Sequence, residues 1–414
     1  MKTLTKTISG FVFSTSLLLS MQAVNAAGFY LSEQGTPASV GTAGVANVTN
    51  TATADAAWTN PAGMTGMTED SILTGLVVST GKVEFDSSVA DAGGSDGGNS
   101  LETGAIPSFF YTKVLNDKTR FGFSAVAPFG GGLDYGDDFV GRYAVQKVEL
   151  AGFALTPSVA HQVNDELSVG FGVSFVNSTL EQDIAVRTLL LPGDGQAELS
   201  NLEDSGIQGI FGLNYKLSGD TLFGLVYRSE MDLELDGDLR IKDTALSDRK
   251  RDVKIEWTNP QTLEAGIRHQ LNDRQTLAFN LGWQEWSKFS KSRFILTDSG
   301  LVDEDDRKWD DTWHAGAAYA ERLDNGNVYT LGLAYESSPV KDKYRTFDFP
   351  VDEIWKLGGS YSWTDVNKFD YALVASLSMI GDAPVDQTEQ GVQVKGDFDS
   401  YYTMFVGGTM RYTF

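Results

Sequence analysis

The sequence predicts an all-β protein, a fourteen-stranded antiparallel transmembrane β-barrel with a small N-terminal hatch. Three observations predict it. A leader sends the chain out of the cytoplasm. Long segments alternate strictly in steps of two, with aromatic rings at the ends of their apolar faces. Short Asn/Asp/Gly turns recur about two strands apart.

The leader comes first. Lys2 and Lys6 stand in a stretch without acids, FVFSTSLLLSM supplies a short apolar run, and Val24-Asn25-Ala26 offers small residues before a cleavage point. This predicts a signal peptide over residues 1–26 and a mature start at Ala27. The chain has 414 residues, no cysteine and a formal charge of -24, which becomes -26 once Lys2 and Lys6 are removed. That acidity excludes nucleic acid as a partner. The lack of cysteine excludes disulfides and thiolate metal sites. No later stretch holds about 18 consecutive apolar residues, so no membrane-spanning helix is predicted.

Residues 27–70 do not alternate. They are rich in Thr, Ala and Gly, yet hold Trp58 and the Asn60-Pro61 turn. A wide barrel has a lumen larger than its own side chains fill, and this segment has the size and composition of a plug. The barrel is predicted over 71–414, beginning with a strand from Ser71 to Phe85. Further on, Leu167, Val169, Phe171, Val173 and Phe175 oppose Ser168, Gly170, Gly172 and Ser174. Leu277, Phe279, Leu281 and Trp283 oppose Ala278, Asn280, Gly282 and Gln284. Tyr329 to Tyr335 and Phe369 to Met379 repeat the pattern.

Tight turns are expected at Asn116-Asp117-Lys118, Asn164-Asp165-Glu166, Ser218-Gly219-Asp220, Asn272-Asp273-Arg274, Asp324-Asn325-Gly326 and Asp365-Val366-Asn367. Long irregular loops are expected at 90–99, 130–141, 190–204, 242–250, 301–307, 342–348 and 383–396. Six turns on one side and seven loops on the other make fourteen strands and place the protein in the outer membrane of a Gram-negative cell. The last strand alternates through Tyr402, Met404, Val406, Met410, Tyr412 and Phe414, as a closing strand must.

Trp58-Thr59-Asn60-Pro61-Ala62-Gly63, shortly after Ala27-Gly28-Phe29, resembles the hatch of the FadL/TodX family. So does the company it keeps: Asp138-Phe139-Val140-Gly141-Arg142-Tyr143, then Pro157-Ser158-Val159-Ala160, Trp286-Ser287-Lys288-Phe289, Asp311-Thr312-Trp313, Ser338-Pro339-Val340 and Arg345-Thr346-Phe347. The resemblance spans the mature chain. It implies fourteen strands, a hatch, a monomer and passive transport of hydrophobic molecules. Long-chain fatty acids are the leading ligand class; monoaromatic hydrocarbons or a structural or phage-receptor surface barrel are the alternatives. It further implies that the hatch N-terminus, with Phe29, enters the ligand pocket, that Asn60, Pro61 and Ala62 form the hatch motif, and that a kinked third strand opens the wall sideways. A terminal aromatic such as Phe414 is what such barrels present to their assembly machinery.

The residues themselves suggest where a ligand binds. The third loop holds Phe129, Leu133, Tyr135, Phe139 and Tyr143, an apolar lining suited to a hydrophobic guest. Arg142 and Lys147 are the nearest cations for a carboxylate head group. The expected third strand, Thr119 to Phe129, ends in Pro128 and then Gly130 to Gly132, which mark a bend. No enzyme is predicted: His161, His269 and His314 have no nucleophile in a catalytic spacing. No cofactor or metal is expected, because the acidic runs at Asp91–Asp96 and Asp303–Asp306 lack the spacing of a calcium loop. They read as hydrated loops facing the lipopolysaccharide layer.

Overall fold

The computed structural model describes residues 36–188, 193–243, 249–366 and 369–414. The expected leader and Phe29 lie outside the described residues, as does Asn367 of the last turn. Among the described residues no helix is long and apolar enough to cross a membrane. The chain forms a closed antiparallel barrel of fourteen staves, each paired with its sequence neighbour.

Eight staves are single strands: β1 (Ser71–Ala90), β2 (Gly104–Val114), β5 (Lys147–Gln162), β6 (Leu167–Val186), β7 (Gly195–Lys216), β16 (Val328–Glu336), β17 (Ile354–Thr364) and β20 (Val392–Thr413). Six are broken in two: β3 (Thr119–Val126) with β4 (Gly130–Asp134), β8 (Thr221–Arg228) with β9 (Met231–Lys242), β10 (Arg249–Asn259) with β11 (Thr262–Gln270), β12 (Gln275–Gln284) with β13 (Lys291–Leu296), β14 (Leu301–Asp306) with β15 (Thr312–Arg322), and β18 (Phe369–Ile380) with β19 (Val385–Glu389). Closure is direct, since β1 pairs with β20 from Ser71↔Thr413 up to Ala90↔Val394. A closed ladder leaves no row of unpaired amides to face hydrocarbon, where each would cost several kcal/mol.

The alternation resolves into two faces. Phe171, Phe175, Ile207, Phe211, Phe279, Leu281, Leu331 and Leu373 point outward as the lipid-facing band. Aromatic rings close it at both ends. Trp283 pairs with Trp313 and Tyr335 with Trp355 on the outer side. On the turn side Trp363 stacks on Tyr371, and Phe369, Tyr412 and Phe414 form a further stack.

Several expected loops are strand. β4, the start of β7, β14, β19 and the start of β20 occupy stretches read as irregular, and β1 runs on past Phe85 to Ala90. Above the bilayer water meets both faces of a ladder, so pairing continues after the apolar/polar alternation that reveals it has faded. The expected third strand is shorter than foreseen, ending at Val126.

The segment from Thr36 to Asp70 fills the lumen. It holds α1 (Pro37–Thr42), a turn of 3-10 helix over Asn47–Thr49, α2 (Ala56–Thr59) and a second 3-10 turn over Pro61–Gly66. Thr36 caps α1 by accepting from the Ala38 amide, with Pro37 at the first helical position. The barrel wall admits this segment because it is thinned where they touch. Gly122, Gly170, Gly212, Gly224, Gly332 and Gly358 face inward, and a Cβ on any of them would lie 2.1 to 2.4 Å from a hatch atom. Backbone can therefore lie directly on wall.

Candidate functional site

The hatch motif is the best-tied part of the lumen. Asn60 is fully buried. Its amide donates to the carbonyl of Val48 at 2.5 Å and to the Asn214 side chain of β7 at 2.9 Å, while its oxygen accepts from the Ala62 amide at 3.1 Å. Pro61 starts the 3-10 turn, where a missing N–H costs nothing. Four wall arginines grip hatch carbonyls: Arg120 donates to Met67, Arg228 to Trp58, Arg268 to Thr49 and Arg411 to Ala52. Arg228 also lies over the Trp58 ring, 4.3 Å from its centre. Sequence reasoning did not single out these arginines. Their signal is a cation on the lumen-facing parity of a barrel strand.

The wall has a gap beside the hatch. β2 pairs with β1 along Gly104–Thr112, but with β3 only from Phe109 to Val114. Beyond Val126 the chain turns away through Ala127-Pro128-Phe129, and β4 pairs with β5. Among the described residues, Gly104 to Ser108 therefore have no partner on the β3–β4 side. The gap closes again above, where Leu101 bridges Leu133 and the Asp134 amide donates to Ser100. Pro128 lacks an N–H and cannot extend the ladder. The inner side of the gap is lined by Ile106 and Ala127, clustered with Val40 of α1. The Ser108 hydroxyl is buried there without a hydrogen-bond partner. The kink, expected somewhere in the third strand, thus lies at Ala127–Phe129.

A large cavity of about 650 Å³ opens toward the outer side. It is assembled from the upper ends of many staves. Leu199 faces Leu239 across β7–β9, and Ile255 faces Phe294 across β10–β13. α3 (Trp286–Phe289) follows the break in its stave and delivers Phe289, 5.7 Å from Phe349 and 6.1 Å from Trp257. The rim is polar. Arg307 binds Asp348 through two bonds of 3.1 and 2.7 Å and stacks over Phe349 at 4.9 Å. Burial alone would raise the Asp348 carboxyl, but Arg307 and Thr346 overcome it and hold it below the ordinary carboxylate range.

Of the third-loop residues, Tyr143 lines this cavity. Phe129 packs under Gly152, and Leu133 is fully buried. Tyr135 and Phe139 stack at 4.3 Å and meet Phe347 edge-on, and the Tyr135 hydroxyl donates to the Phe347 carbonyl. These rings form a packed layer next to the cavity. Arg142 donates to Asp194 at 2.8 Å and to the Gly93 carbonyl at 2.9 Å. Tyr143 donates to the same Asp194 at 2.6 Å. Lys147 lies 3.6 Å from Glu149, with Glu102 also close in charge. Both cations named from sequence thus face carboxylates of the protein.

A second, smaller cavity of about 70 Å³ lies between hatch and wall, touching Trp58, Thr59 and Pro128. It is polar. Lys356 sits 3.3 Å from Glu336 and His314 3.7 Å from Glu264. Thr59 and Asn280 each leave a buried oxygen without a partner there, a setting that suits ordered water. His161 and His269 bond Thr119 and Thr221 at strand ends near the turns. Among the described residues no group of His, Cys, Asp and Glu could hold a metal ion.

A family model for outer membrane protein transport proteins, OMPP1/FadL/TodX, matches residues 16–414. The chain belongs to this family. Outer membrane protein P1 of Haemophilus influenzae is 23% identical over 401 residues, covering 85% of this chain and 86% of the relative. The long-chain fatty acid transport protein of Escherichia coli K12 is 23% identical, covering 68% and 74%. Among solved structures, a Pseudomonas aeruginosa FadL homologue superposes with a TM-score of 0.82 at 17% identity over 93% of this chain and 99% of its own. The CymD monoaromatic hydrocarbon channel gives 0.68 at 18%, over 94% and 99%. This FadL/TodX-family chain is an outer-membrane transport protein for hydrophobic molecules, and the hatch and barrel found above are the fold it shares with those structures.

Proposed function

We propose that this protein lets hydrophobic molecules enter the outer membrane from outside without an energy source. They settle in the outer cavity and leave sideways through the gap between β2 and the β3–β4 kink. The observation that carries the reading is a stretch of wall, Gly104–Ser108, paired to β1 but not on its β3–β4 side, combined with a lumen filled by a firmly bound hatch. Straight passage would require displacing that hatch and would deliver an apolar molecule to periplasmic water, where each exposed CH₂ costs about 0.8 kcal/mol. Sideways release avoids both. The described hatch is held at Asn60 and by four arginines, so it stays in place while the ligand passes.

Long-chain fatty acids are the ligand class expected from sequence, and the Escherichia coli relative bears that ligand in its name. The alternative is a monoaromatic hydrocarbon, as in the name of the CymD channel. Uptake of a labelled long-chain fatty acid and of toluene into outer-membrane vesicles with and without the protein tests the reading. Faster entry of either ligand with the protein is expected. Equal rates with and without it, for both ligands, would contradict transport and favour a structural surface barrel.

A further inference from the structure

The outer cavity pairs an aromatic lining with a one-sided rim. Trp257, Phe289, Phe294 and Phe349 bring aromatic rings to the lining, and a cation is attracted to the face of such a ring. Among the described residues that line it stand five carboxylates and a single guanidinium. That guanidinium, Arg307, is bound to Asp348 and lies 3.7 Å from Asp305. Arg293 reaches Glu304 from outside the lining at 3.6 Å, but is shared with Glu256 at 2.6 Å. Asp303, Glu304, Asp305 and Glu389 therefore leave the mouth negative. The cavity already holds one cation over a ring, since Arg307 sits above Phe349.

We infer that this cavity accepts cationic amphiphiles, an alkylammonium head at the acidic rim with its chain among the rings, and disfavours alkyl carboxylates of the same length. The inference rests on the outer cavity being the entry site proposed above. An apolar chain gains the same burial whatever its head, so the head decides the order. A carboxylate would meet like charges with no unengaged cation among the lining residues to offset them. An alkylammonium would meet attraction from both the acids and the rings. Most of the rim acids are exposed to water, so the preference works through a screened field and weakens with salt.

The test uses the full-length protein in phosphatidylcholine nanodiscs, with empty nanodiscs subtracted. Binding of dodecyltrimethylammonium, dodecanol and dodecanoate is titrated below their aggregation thresholds at pH 8. The expected order is alkylammonium, then alcohol, then carboxylate, with about tenfold between the first and last. Raising salt from about 50 to 500 mM should shrink that ratio. In the D303N/E304Q/D305N variant the alkylammonium-to-alcohol ratio should fall toward one. Carboxylate binding as tight as alkylammonium, or a ratio unmoved by both salt and the variant, overturns the inference while leaving the entry site intact. If dodecanol itself does not bind, the entry site falls and this inference with it.

Discussion

Asn60 carries more of the hatch than its size suggests. Its one amide joins two hatch turns and β7, and Gly212 opposite must lack a side chain for it to fit. Asn60→Ala leaves the Val48 carbonyl, the Ala62 amide and Asn214 short of partners, a loss of about 2 kcal/mol of hatch stability. Hydrogen exchange should show it as faster exchange of amides 48–62 with the barrel strands unchanged. Arg142 is tied to Asp194 and to the loop carbonyl of Gly93. Arg142→Ala should therefore weaken fatty acid and hydrocarbon binding alike, by loosening the outer loops; a loss confined to the fatty acid would instead make Arg142 the head-group partner. The outer sheet also carries a pH signature. Lys308 and Ser290 lower the Asp306 carboxyl to about 2, and Asp348 is held low by Arg307. A carboxyl lower in the folded than in the unfolded chain, where Asp sits near 3.9, adds stability that is complete above about pH 4 and lost as pH falls toward 2. Trp309, whose amide donates to Ser290, should report this as a fluorescence change between about pH 4 and 2 and none between pH 5 and 8.

At the level of strands, much was legible. The lipid-facing half of each stave announces itself because hydrocarbon on one side and a packed lumen on the other force alternation. The tight turns announce themselves by Asn, Asp and Gly. The upper extensions were not legible, since β14 reads LVDEDD and every residue of it is exposed. Nor was the outer cavity, whose walls come from strands as far apart in sequence as β5 and β19. Contiguous aromatics in the third loop read as a pocket lining, yet Tyr135 and Phe139 satisfy one another and Phe347. The gap was half legible: Pro128 and the glycines after it signal a bend, but that Gly104–Ser108 lack a partner on the β3–β4 side is a property of two strands together. Ile106 is the test of the gap. It is buried at its inner face beside Val40 and Ala127. Ile106→Trp should fill the opening at a cost of about 1–3 kcal/mol in overpacking, leaving ligand binding in the outer cavity and blocking release. Binding and uptake measured on the same preparation would separate the two.

Over the whole molecule, closure and plugging divide the work. The β1–β20 seam closes the wall, and the segment from Thr36 to Asp70 packs against its inner face. Removing residues 27–70 should leave a folded barrel, because lumen arginines freed from hatch carbonyls would meet water in place of them. Planar-bilayer recordings should then show ion conductance that the intact protein lacks; failure of the shortened chain to fold would mean that the hatch is part of the barrel's core. Sideways release through the wall is the step we propose for this barrel. The measurement that tests it most directly is uptake of a labelled hydrophobic ligand into vesicles carrying the native protein, Ile106→Trp, or neither. Sideways release predicts that native vesicles fill faster than empty ones and that Ile106→Trp vesicles fill no faster than empty ones. Uptake through Ile106→Trp at the native rate, with the tryptophan in place, would contradict it.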